Sequence, residues 1–103
     1  MIKLPLPDNI GKTIALEHED GSKHYYTIVD EIARMKSDTA NRALCFQRLQ
    51  PSKGRLVQFR FCCYYADENE WVFAQDALYI PYSDLQPIIQ EAIERGWIEI
   101  PGK

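Results

Sequence analysis

The side chains best suited to chemistry in this chain are basic and aromatic residues in its middle third. Between Arg34 and Arg60 there are seven basic residues and one acid, whereas the remainder holds five basic and fourteen acidic residues. The middle segment is therefore near +6 and the flanks near -9, in a protein of formal charge -3. Basic side chains on strands can follow a phosphate backbone, and an exposed ring can stack on an unpaired base. The pattern favours a surface for single-stranded nucleic acid.

Six residues are the candidates for that surface, five of them cations and one an aromatic: Arg42, Arg48, Lys53, Arg55, Arg60 and Tyr64. Among the aromatics we predict that Tyr64 is the stacking residue, and that Phe59, Phe61 and Trp71 belong to the core. The same basic surface also suits an acidic protein partner, and a homodimerisation domain is the other alternative. If the five cations bind one ligand, they should share one exposed face.

Residues for catalysis or metal binding are few. His18 and His24 flank the Asp20-Gly21 turn and are expected to lie close together, but a metal ion needs three or four ligands. No serine has a Gly-x-Ser-x-Gly context, and no glycine-rich loop has phosphate-cradling spacing. We therefore predict a non-enzymatic protein with no cofactor and no metal. An enzyme would need a partner chain to complete its site.

Length and composition predict one domain spanning 1-103. The chain is 46% hydrophobic and 26% charged, as in ordinary globular proteins. Pro5 and Pro7 exclude a secretory signal, and no run approaches the ~18 apolar residues of a membrane helix. Three cysteines without Cys-x-x-Cys spacing predict reduced packing residues and a cytoplasmic location.

The hydrophobic pattern divides the chain into a lead-in arm (1-9), an N-terminal hairpin (12-32), a sheet (42-80) and a helix (83-95). Asp20-Gly21 predicts a type I′ hairpin turn. Residues 33-36 fit either strand or helical turn, and Leu78 to Ile80 predict a short last strand. In the strand from Arg55 to Tyr65, one set of alternating residues is predicted to face the core: Val57, Phe59, Phe61, Cys63 and Tyr65.

The helix is predicted from a single apolar stripe with helical spacing, formed by Leu85, Ile88, Ile89, Ala92 and Ile93. Ser83 and Gln86 have the spacing of a capping box at its start. Gly96 predicts a left-handed stop, with Trp97 folding back on Ala92 in a Schellman motif.

The fold class is therefore α+β: an antiparallel meander of five or six strands with one C-terminal amphipathic helix packed on one face. The opposite face must meet solvent, a partner subunit or a ligand.

The order of elements from Arg42 to Ile93 resembles the transcriptional coactivator domain named positive cofactor four. The resemblance is carried by a Lys53-Gly54 turn, a strand with Arg60 and paired tyrosines (Tyr64-Tyr65), an acidic turn into Trp71, and a helix opening at Ser83-Asp84-Leu85. It implies a small sheet-plus-helix module that dimerises and binds single-stranded DNA on its strands. By position, Arg42, Arg48, Lys53 and Arg60 would belong to the DNA-facing sheet.

Overall fold

The computed structural model describes residues 4–39, 41–75 and 78–99. It contains five strands and one helix: β1 (Thr13–Glu17), β2 (Lys23–Met35), β3 (Arg42–Pro51), β4 (Gln58–Asp67), β5 (Glu70–Ala74) and α1 (Tyr82–Glu94). Each strand is antiparallel to the next, in the order β1-β2-β3-β4-β5, and the sheet curls into a half-barrel. The predicted α+β class, with an antiparallel meander and one C-terminal helix, is confirmed.

Helix α1 covers what we call the helix face of the sheet. Its buried core combines strand residues with the apolar stripe of α1: Ile32, Leu44, Cys63, Ala74, Ile88 and Ala92. The helix ends as predicted, because Gly96 has a φ of 78° and the Trp97 N–H donates to the Ala92 carbonyl at 2.8 Å.

The start of α1 differs from the prediction. Pro81 is the N-cap residue and no side chain caps the helix, so the capping box of Ser83 and Gln86 does not form. Asp84 instead turns inward and accepts hydrogen bonds from the Ser37 N–H at 2.8 Å and the Ser37 hydroxyl at 2.9 Å. The Arg34 Nε lies 3.3 Å from the same carboxylate. The first turn of α1 is thereby joined to the end of β2.

Strand β2 continues through residues 33–35, which the sequence left open between strand and helical turn. A β-bulge at Val29 interrupts its register with β3 between Ile28 and Asp30. Since a bulge inserts one extra residue, the parity of inward-facing side chains reverses there. Ile28 therefore lies on the opposite side of the sheet from Asp30.

The side opposite α1, here called the arm face, is partly covered by the N-terminal arm (residues 4–9). The Trp71 Nε1 donates to the Pro5 carbonyl at 2.8 Å, and Asn9 is buried against Glu31. Two apolar clusters lie on this face, one around Tyr26, Ile28 and Leu49 and one around Cys45, Cys62 and Tyr64.

The structure corrects two further local predictions. The Asp20-Gly21 hairpin is not a two-residue type I′ turn: the last pair is Glu17 with Lys23, and only Gly21 has a positive φ in that loop. Asp20 accepts the Ser22 N–H at 2.9 Å, which supports the longer loop. Leu78 to Ile80 form no strand, and residues 76 and 77 lie outside the described part of the chain.

The three cysteines are free and buried, as predicted. Cys63 belongs to the helix-face core and Cys62 to the arm face, because neighbouring strand residues point to opposite sides. Among the described residues, no helix has the length and hydropathy needed to span a membrane.

Candidate nucleic-acid interface

The sheet register does not bring the five predicted cations to one face. Arg48 pairs with Phe59 and Gln47 pairs with Arg60, so Arg48 and Arg60 lie on opposite sides of the sheet. Arg42 shares the helix face with Arg48. These two residues are six positions apart on one strand, which is about 20 Å.

Arg42 lies at the far end of the helix face from Arg48. It is half-buried and pairs with Tyr65 in register, and its Nη1 lies 4.0 Å from the Cys63 sulfur. Its side chain is therefore directed along the packed part of the sheet.

Arg60 is part of a buried polar chain on the arm face. Its Nε donates to the Gln47 Oε1 at 2.9 Å, and its Nη2 lies 3.4 Å from the Tyr64 hydroxyl. The guanidinium also sits over the Phe73 ring, 4.8 Å from the centroid. These contacts give Arg60 a structural role in holding β3 to β4.

Tyr64, the predicted stacking residue, lies in the same polar chain with 8% of its surface exposed. Its hydroxyl accepts a bond from the Gln47 Nε2 at 3.2 Å. Burial raises the pKa of Tyr64 to about 12. With its ring packed among Cys45 and Cys62, it presents no open face to a base.

The centre of that polar chain is the Glu31 carboxylate. It accepts the Asn9 N–H and the Asn9 Nδ2 at 2.9 Å each, and the Gln47 Nε2 at 2.6 Å. All three residues are buried. These three hydrogen bonds hold the arm on the sheet.

Sequence reasoning missed Asn9, Glu31 and Gln47. The only sign of this cluster in the sequence was a polar residue within each of two apolar strands, Glu31 on β2 and Gln47 on β3. Near them, burial raises the pKa of the Cys62 thiol to about 11, and that of Cys45 is raised further. These thiols are protonated and poorly nucleophilic at neutral pH.

The exposed part of the helix face forms a second surface, which we call the open strip. It runs across three strands beyond the end of α1. Its members are Tyr25, Thr27, Arg48, Gln50 and Phe59, placed on one side by the pairs Thr27 with Gln50 and Arg48 with Phe59. Tyr25 is 51% exposed and Phe59 is 41% exposed.

Phe59 was predicted to be a core residue, and the structure corrects this. Its ring packs in a tilted arrangement on the aromatic border of the core, with centroids 5.6 Å from Phe46 and 5.5 Å from Trp97. With 41% of its surface exposed, the Phe59 ring is still partly open. Phe59 rather than Tyr64 is the β4 ring available for stacking.

Arg48 has no ion pair within the described part of the chain. Its Cα partner on β2 is Asp30, but that carboxylate accepts the Arg95 Nη1 at 2.9 Å and the Glu31 N–H at 2.9 Å. Arg48 is exposed beside Phe59, and the acid nearest to it in register is already bound.

Three more cations lie at the β1–β2 end of the strip. Lys53 and Arg55 are exposed in the loop between β3 and β4, and Lys23 begins β2 on the same side as Tyr25. Of the predicted residues, Arg48 lies near the end of β3, and Lys53 and Arg55 lie in the loop that follows it. Lys23, which was not among the predicted residues, lines a cavity together with Lys53.

The two histidines do lie together, with ring centroids 3.9 Å apart. Within the described ranges, no group of three or more His, Cys, Asp or Glu side chains is placed to hold a metal ion. Comparisons of the chain with protein-family models, with curated proteins and with solved structures give no match.

Proposed function

We propose that the chain is a non-enzymatic binding module that holds single-stranded nucleic acid on the open strip. The observation that carries this proposal is that an exposed cation, Arg48, shares one uncovered sheet face with two exposed rings, Phe59 beside it and Tyr25 farther along. The resemblance to positive cofactor four points to the same class of ligand. The free, buried cysteines support the cytoplasmic location proposed with it.

The spacing of the strip suits a flexible strand. From strand spacing and rise, the backbones at Tyr25 and Phe59 are about 16 Å apart, and Arg48 is the cross-strand neighbour of Phe59. An extended single strand can place bases about two or three nucleotides apart on separated rings while an intervening phosphate meets a cation. A rigid duplex cannot splay its bases in this way.

The charge of the strip predicts the salt dependence of binding. Lys23, Arg48, Lys53 and Arg55 provide four cations. Each neutralised phosphate releases condensed counterions, so log Kd against log salt should have a slope of magnitude about 2.8 on single strands.

A fluorescence anisotropy titration with labelled oligonucleotides at several salt concentrations tests the proposal. We expect binding that is tighter for single strands than for the matching duplex, with the slope given above. Absence of binding at low salt, or equal binding of duplex and single strand, would overturn it.

A second candidate is association through the edge of β4, giving a homodimer. Strand β5 pairs only with Cys63 to Asp67, so Gln58 to Cys62 have a strand partner on one side alone in the described structure. The alternation of the ladder turns the backbone groups of Phe59 and Phe61 to this edge. Sedimentation velocity over a range of concentrations tests the dimer.

An acidic protein that competes with oligonucleotides would indicate a protein ligand for the strip.

A further inference from the structure

The start of β2 extends beyond the end of β3 and leaves a pocket there. The last β2–β3 pair is Tyr26 with Pro51, after which β3 turns away while Lys23 to Tyr25 continue on β2. The Ser52 N–H donates to the Tyr25 carbonyl at 2.9 Å and closes one wall. The cavity is about 310 Å³ and is lined by Lys23, His24, Tyr25, Tyr26, Pro51, Ser52 and Lys53.

We propose that this pocket binds a phosphate monoester, the terminal phosphate of the strand held on the open strip. The proposal rests on the proposed function, since the pocket is lined by Tyr25 of the open strip and by two of the lysines at the β1–β2 end of the strip. It goes further by assigning the terminal phosphate group of the strand to the pocket at the start of β2.

The charge of the lining selects an anion. Two lysines line the pocket and no lining residue carries a carboxylate. Glu17 is the Cα partner of Lys23 across β1 but is not part of the lining. The carboxylate of Asp20 is engaged by Ser22, whose hydroxyl donates to it at 2.6 Å.

That same hydroxyl orients His24. Because the Ser22 hydrogen is given to Asp20, its oxygen accepts at 3.1 Å from the His24 Nε2, which therefore carries a proton. The ring of His18 packs against His24 and limits its rotation. The imidazole is thus held in one orientation in the wall of the pocket.

The pocket also offers neutral donors. Ser52 contributes a hydroxyl, and the ladder alternation directs the Lys23 N–H to the side of β2 that β3 has left. Phosphate oxygens accept several hydrogen bonds at once, so a hydroxyl, a backbone N–H and two ammonium groups form a complementary set.

A terminal phosphate fits better than an internal one on electrostatic grounds. A monoester carries about -1.5 to -2 at neutral pH, whereas each internal diester carries a single negative charge. Two lysines in one pocket match the monoester. The pocket also stands where the strip ends against the β1–β2 loop, so a strand lying along Phe59, Arg48 and Tyr25 would finish there.

The first test is an NMR titration of the ¹⁵N-labelled protein. A nucleoside 5′-monophosphate and inorganic phosphate should shift the amides of Lys23, Tyr25, Ser52 and Lys53 in a saturable way, and the unphosphorylated nucleoside should not. Unchanged amides with both phosphate probes would overturn the inference, whatever the behaviour of longer strands.

The second test compares one oligonucleotide sequence bearing a 5′-phosphate, a 3′-phosphate or hydroxyl ends. One phosphorylated form should bind about tenfold tighter, the effect of a charge-assisted hydrogen bond. Lys53→Gln should remove this increment. Arg55→Gln is the matched control, because Arg55 lies in the same loop outside the lining. It should weaken all three strands equally and preserve the increment.

The outcomes separate the two proposals. If all three strands bind with equal affinity, the open strip stands and the terminal-phosphate pocket fails. If mononucleotides shift the pocket amides and no oligonucleotide binds, strand binding fails and the source of the monoester is a free nucleotide.

Discussion

Replacing Arg48 by Gln is the most direct perturbation of the open strip. The side chain is exposed and has no ion pair in the described structure, so its loss should change the free energy of unfolding by less than about 0.5 kcal/mol. Binding should nevertheless weaken, because one phosphate contact disappears from the centre of the strip.

The size of the loss follows from counterion release. Removing one contact lowers the salt slope by about 0.7, which weakens binding about fivefold at a salt concentration of ~0.1 M and about fifteenfold at ~0.02 M. The defect should therefore grow as salt is lowered. Anisotropy titrations at four or more salt concentrations, with urea unfolding of the same samples, give both quantities.

Lys36→Gln is the matched control for Arg48→Gln. It makes the same change in net charge, but the Lys36 Nζ is paired with Asp38 at 2.7 Å, after the other end of β2. If the two variants bind with the same slope and affinity, the effect is one of overall charge, and Arg48 does not contact a phosphate. An unchanged slope in Arg48→Gln would refute the reasoning in the same way.

Four further predictions concern the scaffold. Glu31→Gln should lower the free energy of unfolding by about 2–3 kcal/mol in urea titrations, since a buried acceptor of three hydrogen bonds is replaced by a group that is half donor; Glu99→Gln, at an exposed site, should change it little. Gly96→Ala should cost about 1 kcal/mol by the same measurement, because its φ of 78° is strained for any residue with a Cβ, although that Cβ would meet open space. Burial alone would raise the pKa of Asp84, but its hydrogen bonds from Ser37 and Arg34 hold that pKa below the ordinary value of 3.8. Its contribution to the free energy of unfolding is therefore present above pH ~4 and is lost as the pH falls through the lower pKa of the folded state. Asp84→Asn should reduce the fall in the free energy of unfolding over this acidic range. Cys62, with a pKa raised by burial to about 11, should react with a thiol reagent at pH 8 only on unfolding, and rapid labelling of the native protein would contradict its burial.

The order of strands and the helix were predictable from the sequence because both follow from hydrophobic periodicity. The alternation along β1 and the spacing of Ile88 and Ala92 each describe one buried face of one element. The end of the helix at Gly96 was predictable from the backbone preference of glycine alone. Such local signals do not depend on which elements later meet.

Which residues form the open strip was not predictable from the sequence, because this depends on how strands and helix pack against one another. The Val29 bulge reverses the parity of β2, and a bulge leaves no distinct mark in the residue pattern. Phe59 has the apolar character of a core residue and is exposed because α1 stops short of it. Tyr64 is buried because the arm returns over its side of the sheet, a contact between segments far apart in the chain.

The anchors of the N-terminal arm impose an order on folding. Asn9 bonds to a residue 22 positions downstream, and Pro5 accepts a bond from a tryptophan 66 positions downstream. The arm is synthesised before both of its anchors and is therefore among the last of these segments to dock, since its second anchor does not exist until β5 has been synthesised. A docked arm therefore indicates that the strands that anchor it, β2 and β5, have already formed.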